Sequence, residues 1–180
     1  MPKKIVILNG SPRKNGNTSA LVQAFREGAE SAGHTVTEFH LASMDIHPCC
    51  WGGGKDSAHP CVQRDDMEQI YPAYKEADIV VLASPLYYWT ISGQLKMTFD
   101  RLFAVAEESA DYANPIKESV LLMAAEGNGF EESEYWYDRL MNHLGWTSLG
   151  KILCGGVVKP GDIQGNAKLE EARALGAQIG

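Results

Sequence analysis

Apolar residues fall into two kinds of pattern along this chain. Ile5-Val6-Ile7-Leu8, Ile79-Val80-Val81-Leu82-Ala83 and Val120-Leu121-Leu122-Met123-Ala124 are continuous runs, as expected of strands covered on both faces in a parallel sheet. Thr35 to Leu41 is mixed in polarity, as an edge strand is. Ile152 to Val158 reads as a fifth strand, interrupted by Gly155-Gly156. Elsewhere the apolar positions recur at helical spacing. Leu21, Phe25, Gly28 or Ala29, and Ala32 follow the first strand. Leu95, Phe99 and Leu102 point inward in a helix from about Ser92 to Ala104. Trp136, Leu140 and Leu144 align in Glu132 to Leu144, and Leu169, Ala172, Leu175 and Ile179 in Asn166 to Ile179. A further helix starts at Asp65 or Asp66, where Asp65 with Glu68 resembles a capping box. Pro72 falls inside it and should kink or shorten it.

Five strands alternating with five helices predict an α/β fold: a doubly wound, five-stranded parallel sheet with helices on both faces. Residues 1–180 form a single domain, with no internal repeat, linker or low-complexity tract. Right-handed crossovers leave few topologies, and 2-1-3-4-5 is the usual order for five strands. That order places a ligand at the carboxyl ends of the first and third strands, where the chain reverses direction across the sheet. Those ends are Asn9-Gly10-Ser11 and Ser84-Pro85-Leu86.

The segment after the first strand carries the densest chemistry. Asn9-Gly10-Ser11-Pro12-Arg13-Lys14-Asn15-Gly16-Asn17-Thr18-Ser19 combines turn formers, hydroxyls, amides and two cations directly before a helix. Backbone N–H groups at a helix start are unpaired and partly positive, so a strand, such a loop and a helix make an anion cradle. Neither G-x-x-x-x-G-K-[ST] nor G-x-G-x-x-G stands between strand and helix. A terminal phosphate monoester is left as the anion, wrapped by Ser11, Asn17, Thr18 and Ser19 with charge from Arg13 or Lys14. The plainer alternative is a βα turn with a Ser or Thr N-cap.

Composition narrows the partners. The chain has 180 residues, ordinary apolar content of 44% and a formal net charge of −7. An acidic balance argues against a nucleic-acid partner held by its phosphates. No apolar stretch approaches 18 residues, and Met1-Pro2-Lys3-Lys4 leads into a strand, so neither membrane span nor signal peptide is expected and a cytoplasmic location is. In that compartment Cys49, Cys50, Cys61 and Cys154 are free thiols or parts of a metal site before they are disulfides.

Three blocks in order resemble one family. Gly10-Ser11-Pro12-Arg13 with Gly16-Asn17-Thr18 resembles the FMN-phosphate loop of the NAD(P)H-dependent FMN reductases, within flavodoxin-like proteins. Ser84-Pro85-Leu86-Tyr87-Tyr88-Trp89, Gly93-Gln94-Leu95-Lys96 and Asp100-Arg101 are similar to the loop beside the isoalloxazine ring and its following helix. Gly155-Gly156-Val157, Pro160-Gly161-Asp162-Ile163 and Leu169-Glu170-Glu171-Ala172 supply the third match. Within the family the chain looks closest to the iron–sulfur flavoproteins, without their full cysteine motif. The resemblance implies a flavodoxin-like fold, FMN as cofactor and NADPH or NADH as co-substrate. It implies cofactor contacts from Ser11, Arg13, Asn15, Asn17, Thr18 and Ser19, from Pro85, Leu86, Tyr87, Tyr88 and Trp89, and from Glu126, Gly127 and Asn128. It also implies a homodimer or homotetramer, with Trp51 and the 105–114 loop as contacts.

Tyr87-Tyr88-Trp89 follows the third strand, and aromatics at a loop tip should cover something. They either flank a flat heterocycle or cap the core or a subunit contact. Glu126-Gly127-Asn128-Gly129 follows the fourth strand at the same edge, with small residues that let backbone N–H groups approach polar ring atoms. No Ser/His/Asp arrangement is visible, so no catalytic side chain is named and the chemistry belongs to the flavin. Residues 42 to 64 read as a long connection. The iron–sulfur branch carries C-x2-C-x2-C and a fourth Cys here, and aligning Cys49 first puts Gly52 and Lys55 at two ligand positions, with Cys61 at the fourth. A zinc site of Cys49, Cys50 and Cys61 completed by His47 or His59 is an accepted donor set at irregular spacing. Free cysteines with no metal is the reading adopted.

The sequence therefore predicts an FMN-dependent oxidoreductase that takes hydride from NAD(P)H and passes electrons to free flavin, a quinone or another small acceptor. The alternatives are a flavodoxin-like electron carrier, whose phosphate loop is T-x-[ST]-G-x-[ST], and a flavin-binding sensor. A receiver domain would need acidic residues where Asn9 and Gly10 stand.

Overall fold

The computed structural model describes residues 1–51, 53–56 and 59–180, with 53–56 and 59 as backbone only. In chain order the elements are β1 (Lys4–Asn9), α1 (Asn17–Ser31), β2 (Thr35–His40), β3 (Gly53–Asp56), β4 (His59–Cys61), α2 (Met67–Glu76), β5 (Ile79–Pro85), α3 (Gly93–Arg101), α4 (Phe103–Ala106), β6 (Glu118–Ala124), α5 (Glu131–Leu144), β7 (Thr147–Cys154) and α6 (Ala167–Ala177). The main sheet runs β2-β1-β5-β6-β7, and every neighbouring pair is parallel. Numbering only these five strands gives 2-1-3-4-5, the predicted flavodoxin-like order.

Strand alternation divides the core. Val6, Leu8, Val80 and Leu82 face one layer with Met67, Tyr74, Leu95 and Tyr137, from α2, α3 and α5. Ile5, Ile7, Val81 and Leu122 face the other with Leu21, Phe25 and Ala172, from α1 and α6. Both faces are therefore dry, which is why these strands read as unbroken apolar runs. In the second layer the helices approach at bare backbone. A Cβ on Gly28 would lie 1.9 Å from the Arg173 carbonyl oxygen, and one on Gly176 would lie 2.2 Å from that of Phe25.

Several expectations are corrected. β7 begins at Thr147 and ends at Cys154, five residues earlier than read and before Gly155. As an outer strand it tolerates Thr147, Ser148 and Lys151, so its start has no apolar signature. Residues 42–64 are not wholly irregular: β3 and β4 pair antiparallel, with Gly53 opposite Cys61. The deep face of α5 is Ser133, Tyr137 and Met141, with Trp136, Leu140 and Leu144 only partly covered. The helix from Ser92 breaks at Leu102 into α3 and α4, and its buried residues include Thr98 and Arg101, with Phe99 half-buried. Ala32 is exposed at the end of α1, and Ile179 lies beyond α6. Pro72 sits inside α2 without ending it, four residues before its terminus.

The Asp65 carboxylate does not form a capping box with Glu68. It accepts the Met67 N–H at 3.1 Å and forms a two-point ion pair with Arg101, at 2.6 and 3.1 Å. Arg101 is only 1% exposed. Its guanidinium also donates to the His47 carbonyl at 2.8 Å, and the His47 N–H donates to Asp65 at 3.1 Å. The pair thus pins the 45–48 strap to the frame. Burial pushes the Asp65 carboxyl upward, but hydrogen bonds from Arg101 and from the His47 and Met67 amides outweigh it. The group ends below the usual carboxylate range.

Candidate functional site

The site forms where β1 and β5 end side by side. The Gly10 N–H continues their pairing by donating to the Ala83 carbonyl at 2.8 Å. Ser92, the N-cap of α3, donates its hydroxyl to the Gly10 carbonyl at 2.8 Å, and its amide donates to Ser84 Oγ at 2.8 Å. A Cβ on Gly10 would stand 2.5 Å from Ser92 Oγ and 2.7 Å from Leu95 Cβ. The two loops are therefore locked at a spacing that requires glycine here.

The 10–16 loop is braced from inside. Asn9 Oδ1 accepts the Ser11 N–H at 3.0 Å, and Asn9 Nδ2 donates to Glu38 at 2.9 Å and to Ser19 Oγ at 3.3 Å. The Ser11 hydroxyl donates to the Arg13 carbonyl at 3.1 Å and accepts the Arg13 N–H at 3.2 Å. Ser19 Oγ donates to the same carbonyl at 3.0 Å. Asn17 Nδ2 donates to the Lys159 carbonyl at 3.0 Å, and Asn17 Oδ1 accepts the Ile163 N–H at 3.4 Å. Arg13 reaches the Val158 carbonyl at 3.2 Å. Ser11, Asn17 and Ser19 thus use their side chains to hold the loop backbone.

What they leave open is the helix start. The N-cap of α1 is Gly16, no side chain caps it, and the first helical bond is Ala20 N–H to the Gly16 carbonyl at 3.0 Å. The alternative of a Ser or Thr N-cap is therefore not what forms. The N–H groups of Asn17 and Thr18 have no acceptor among the described residues and lie at a cleft of about 300 Å3. Its walls are Ser11, Pro12, Arg13, Gly16, Asn17 and Thr18 on one side, Pro85, Leu86 and Tyr87 on another, and Ala124, Ala125, Glu126, Val157 and Val158 on the third. An uncapped helix start beside a cation, in a hollow lined by both polar and apolar groups, fits a phosphate carrying a flat heterocycle. FMN has that shape.

Of the expected contacts, Asn15, Ser19, Tyr88, Trp89, Gly127 and Asn128 do not line this cleft. Asn15 is exposed. Gly127 and Asn128 instead pack on Gly155, where a Cβ would meet Asn128 Oδ1 at 1.8 Å. Tyr88 and Trp89 form the tip of a tight turn in which Tyr87 and Thr90 exchange backbone hydrogen bonds of 2.9 and 3.1 Å. Both adopt left-handed backbone angles, with φ of 49° and 64°. Asn-Gly is the usual occupant of such a turn, and bulky residues there are strained. Tyr88 is 91% and Trp89 61% exposed. The turn is held from below, since Ser133 Oγ donates to the Trp89 carbonyl at 2.9 Å. Sequence reading missed Ala124-Ala125 and Val157-Val158, although the carboxyl ends of the fourth and fifth strands were the place to look.

The NADPH-dependent FMN reductase family model matches residues 3–155. The chain belongs to that family. It is accordingly a flavin-dependent oxidoreductase that uses FMN with NAD(P)H. Two relatives are iron–sulfur flavoproteins. One, from Archaeoglobus fulgidus, is 32% identical over 98% of this chain and 78% of its own. The other, MJ1083 from Methanocaldococcus jannaschii, is 28% identical over 98% and 95%. Among solved structures, the NAD(P)H:quinone oxidoreductase of Methanothermobacter marburgensis superposes with a TM-score of 0.69 at 20% identity, covering 98% of this chain and 96% of that one. That likeness speaks for the fold.

The relatives' names raise an iron–sulfur cluster, and the residues of this chain do not fit one. A four-iron cluster takes four thiolates, and the chain has four cysteines in all. Cys154 is buried in the α1–α6 layer, whereas Cys61 packs against the opposite layer. Of the three that remain, two are adjacent in sequence. Among the described residues no group of three His, Cys, Asp or Glu side chains is arranged to hold a metal. The readings at Gly52 and at the side chains of Lys55 and His59 lie outside the described residues. Among those residues, too, no helix is long and apolar enough to cross a membrane.

Proposed function

We propose that this reductase holds FMN with its phosphate on the Asn17 and Thr18 amides and passes electrons from NAD(P)H to a small acceptor such as free flavin or a quinone. The observation that carries the reading is the uncapped start of α1, opening into a cleft walled by three strand ends. Arg13, exposed at the rim, adds charge toward the phosphate. Leu86, Ala124, Ala125 and Val157 keep water from the ring system. Bound FMN supplies the hydride chemistry, so no side chain is required as acid or base. Tyr88 and Trp89 rise at the edge of the cleft, where a nicotinamide ring and then a flat acceptor would be admitted and oriented. Their exposure is consistent with partial cover from a second copy of the chain in a homodimer or homotetramer. An acidic chain of this kind is not expected to engage nucleic acid.

Titration of apo-protein with FMN and with riboflavin tests the anchor. FMN should bind one per chain and at least tenfold more tightly, because the phosphate loop supplies much of the affinity. Equal affinities would remove the basis of the reading. Anaerobic addition of NADH or NADPH should then bleach the bound flavin within seconds, and a quinone should restore its colour. Reduction only through a separate reductase would make the chain an electron carrier.

A further inference from the structure

Cys49, Cys50 and Cys61 line one small cavity of about 30 Å3, room for one or two waters, with Trp51, Arg101 and Phe103 among its walls. It lies away from the flavin cleft, with which it shares no lining residue. We propose that Cys61 and one thiol of the adjacent Cys49–Cys50 pair form a dithiol–disulfide couple that exchanges with small-molecule disulfides.

Reach, access and charge support this. Cys61 stands opposite Gly53 in the β3–β4 hairpin, and Gly53 is three residues from Cys50. Three residues span at most about 10 Å. A disulfide needs Cα atoms roughly 4.4–6.8 Å apart, and lining one cavity of this size keeps Cys61 close to both candidate partners. Cys49 and Cys50 are exposed and Cys61 is half-buried, so an external disulfide can approach. The cavity wall holds a buried cation. Both terminal nitrogens of Arg101 are spent on Asp65 and His47. Its Nε is buried and has no hydrogen-bond partner among the described residues. The guanidinium and the Tyr71 hydroxyl both lie within electrostatic reach of Cys61. Cys154 differs in access: it is buried, and burial pushes its thiol up.

The exchange runs in two displacements. The Cys61 thiolate attacks one sulfur of a disulfide RSSR, that bond breaks, and RS− leaves and takes up a proton. The Cys49 or Cys50 thiolate then attacks the Cys61 sulfur of the mixed disulfide and expels the second RS−. Two protein thiols lose two protons and two electrons, and RSSR becomes two RSH.

The test uses reduced holoprotein incubated without oxygen in glutathione disulfide, quenched with iodoacetamide in denaturant, and read by intact mass and peptide mapping. Two of the four thiols should escape alkylation, no glutathione should remain attached, and one peptide should join Cys61 to Cys49 or Cys50. Cys61→Ser should lose that link while NAD(P)H still bleaches the flavin at the unaltered rate. Cys49→Ser and Cys50→Ser identify the partner, since only one of them should abolish the link. A Cys49–Cys50 link, links only between chains, a persistent glutathione adduct, or stoichiometric acid-labile sulfide after anaerobic purification would each overturn the proposal. The flavin assay reads separately, so failure here leaves the proposed function standing and failure there leaves the thiol couple standing.

Discussion

Two irregular segments are pinned to the same frame by opposite means. The 10–16 loop is held by many hydrogen bonds from Asn9, Ser11, Asn17 and Ser19, most of them between neutral groups and to the backbone, with Asn9 also on the Glu38 carboxylate. The 45–48 strap is centred on one buried ion pair, Asp65–Arg101, to which the His47 backbone attaches on both sides, with Asp45 bonded to Asp66 and the Pro48 carbonyl to Gln63 at its ends. A distributed, mostly neutral brace should fail by degrees and respond little to pH. A buried charged clamp should weaken sharply when either partner is lost or neutralised.

Arg101→Met should therefore have the largest effect. It leaves the Asp65 carboxylate buried without its cation, which costs about 3–5 kcal/mol. Urea unfolding measures the loss, and limited proteolysis should cut near residues 45–66 first. The double variant Asp65→Asn/Arg101→Met should recover part of it, because the stranded charge is gone. A double variant no more stable than the single one would mean that the pair is not the clamp.

Acid provides the same comparison without mutation. The folded Asp65 carboxyl binds its proton more weakly than the unfolded one. Its stabilisation is then complete above the ordinary Asp range, near pH 4, and is lost as pH falls through the lower folded value. Unfolding midpoints measured from pH 7 to pH 3 should fall less steeply in Asp65→Asn than in the wild type. Parallel slopes would assign the acid sensitivity elsewhere.

Within the loop the effects should be smaller. Asn17→Ala removes the bonds to Lys159 and Ile163, and should weaken FMN by about 1–2 kcal/mol while affecting riboflavin less. Calorimetric titration decides this, and equal losses for both ligands would mean that the brace does not serve the phosphate. The smallest change is expected at the aromatic turn. Tyr88→Asn/Trp89→Gly supplies the residues that left-handed backbone favours and should raise stability by about 1 kcal/mol. Nicotinamide-dependent reduction should slow while FMN affinity holds. An unchanged reduction rate would deny the turn a part in admitting the nucleotide.

The sheet was legible because its three central strands are covered on both sides and so read as plain apolar runs. β7 was not, because an outer strand tolerates Thr147, Ser148 and Lys151. β3 and β4 carry Gly, Lys, His, Pro and Cys, none of which marks a strand. At the site, sequence order and strand ends sufficed to bring Ser11, Thr18, Leu86 and Glu126 to one cleft. The direction in which Ser11 and Asn17 spend their hydrogen bonds was not readable. A hydroxyl or amide beside a helix start can serve the anion or the backbone, and only the positions of Arg13, Lys159 and Ile163 decide between them.

The bonds from Asn17 to residues 159 and 163, and the close seat of α6 on α1, carry a consequence for biosynthesis. The cradle's first half is translated well before its fastening, which is encoded some 140 residues later. Until that later stretch clears the exit tunnel, the nascent chain has a phosphate loop held only by its local bonds from Asn9, Ser11 and Ser19. Firm cofactor capture thereby waits for residues 159–163, and a ribosome stalled before residue 159 should display a chain that retains FMN poorly.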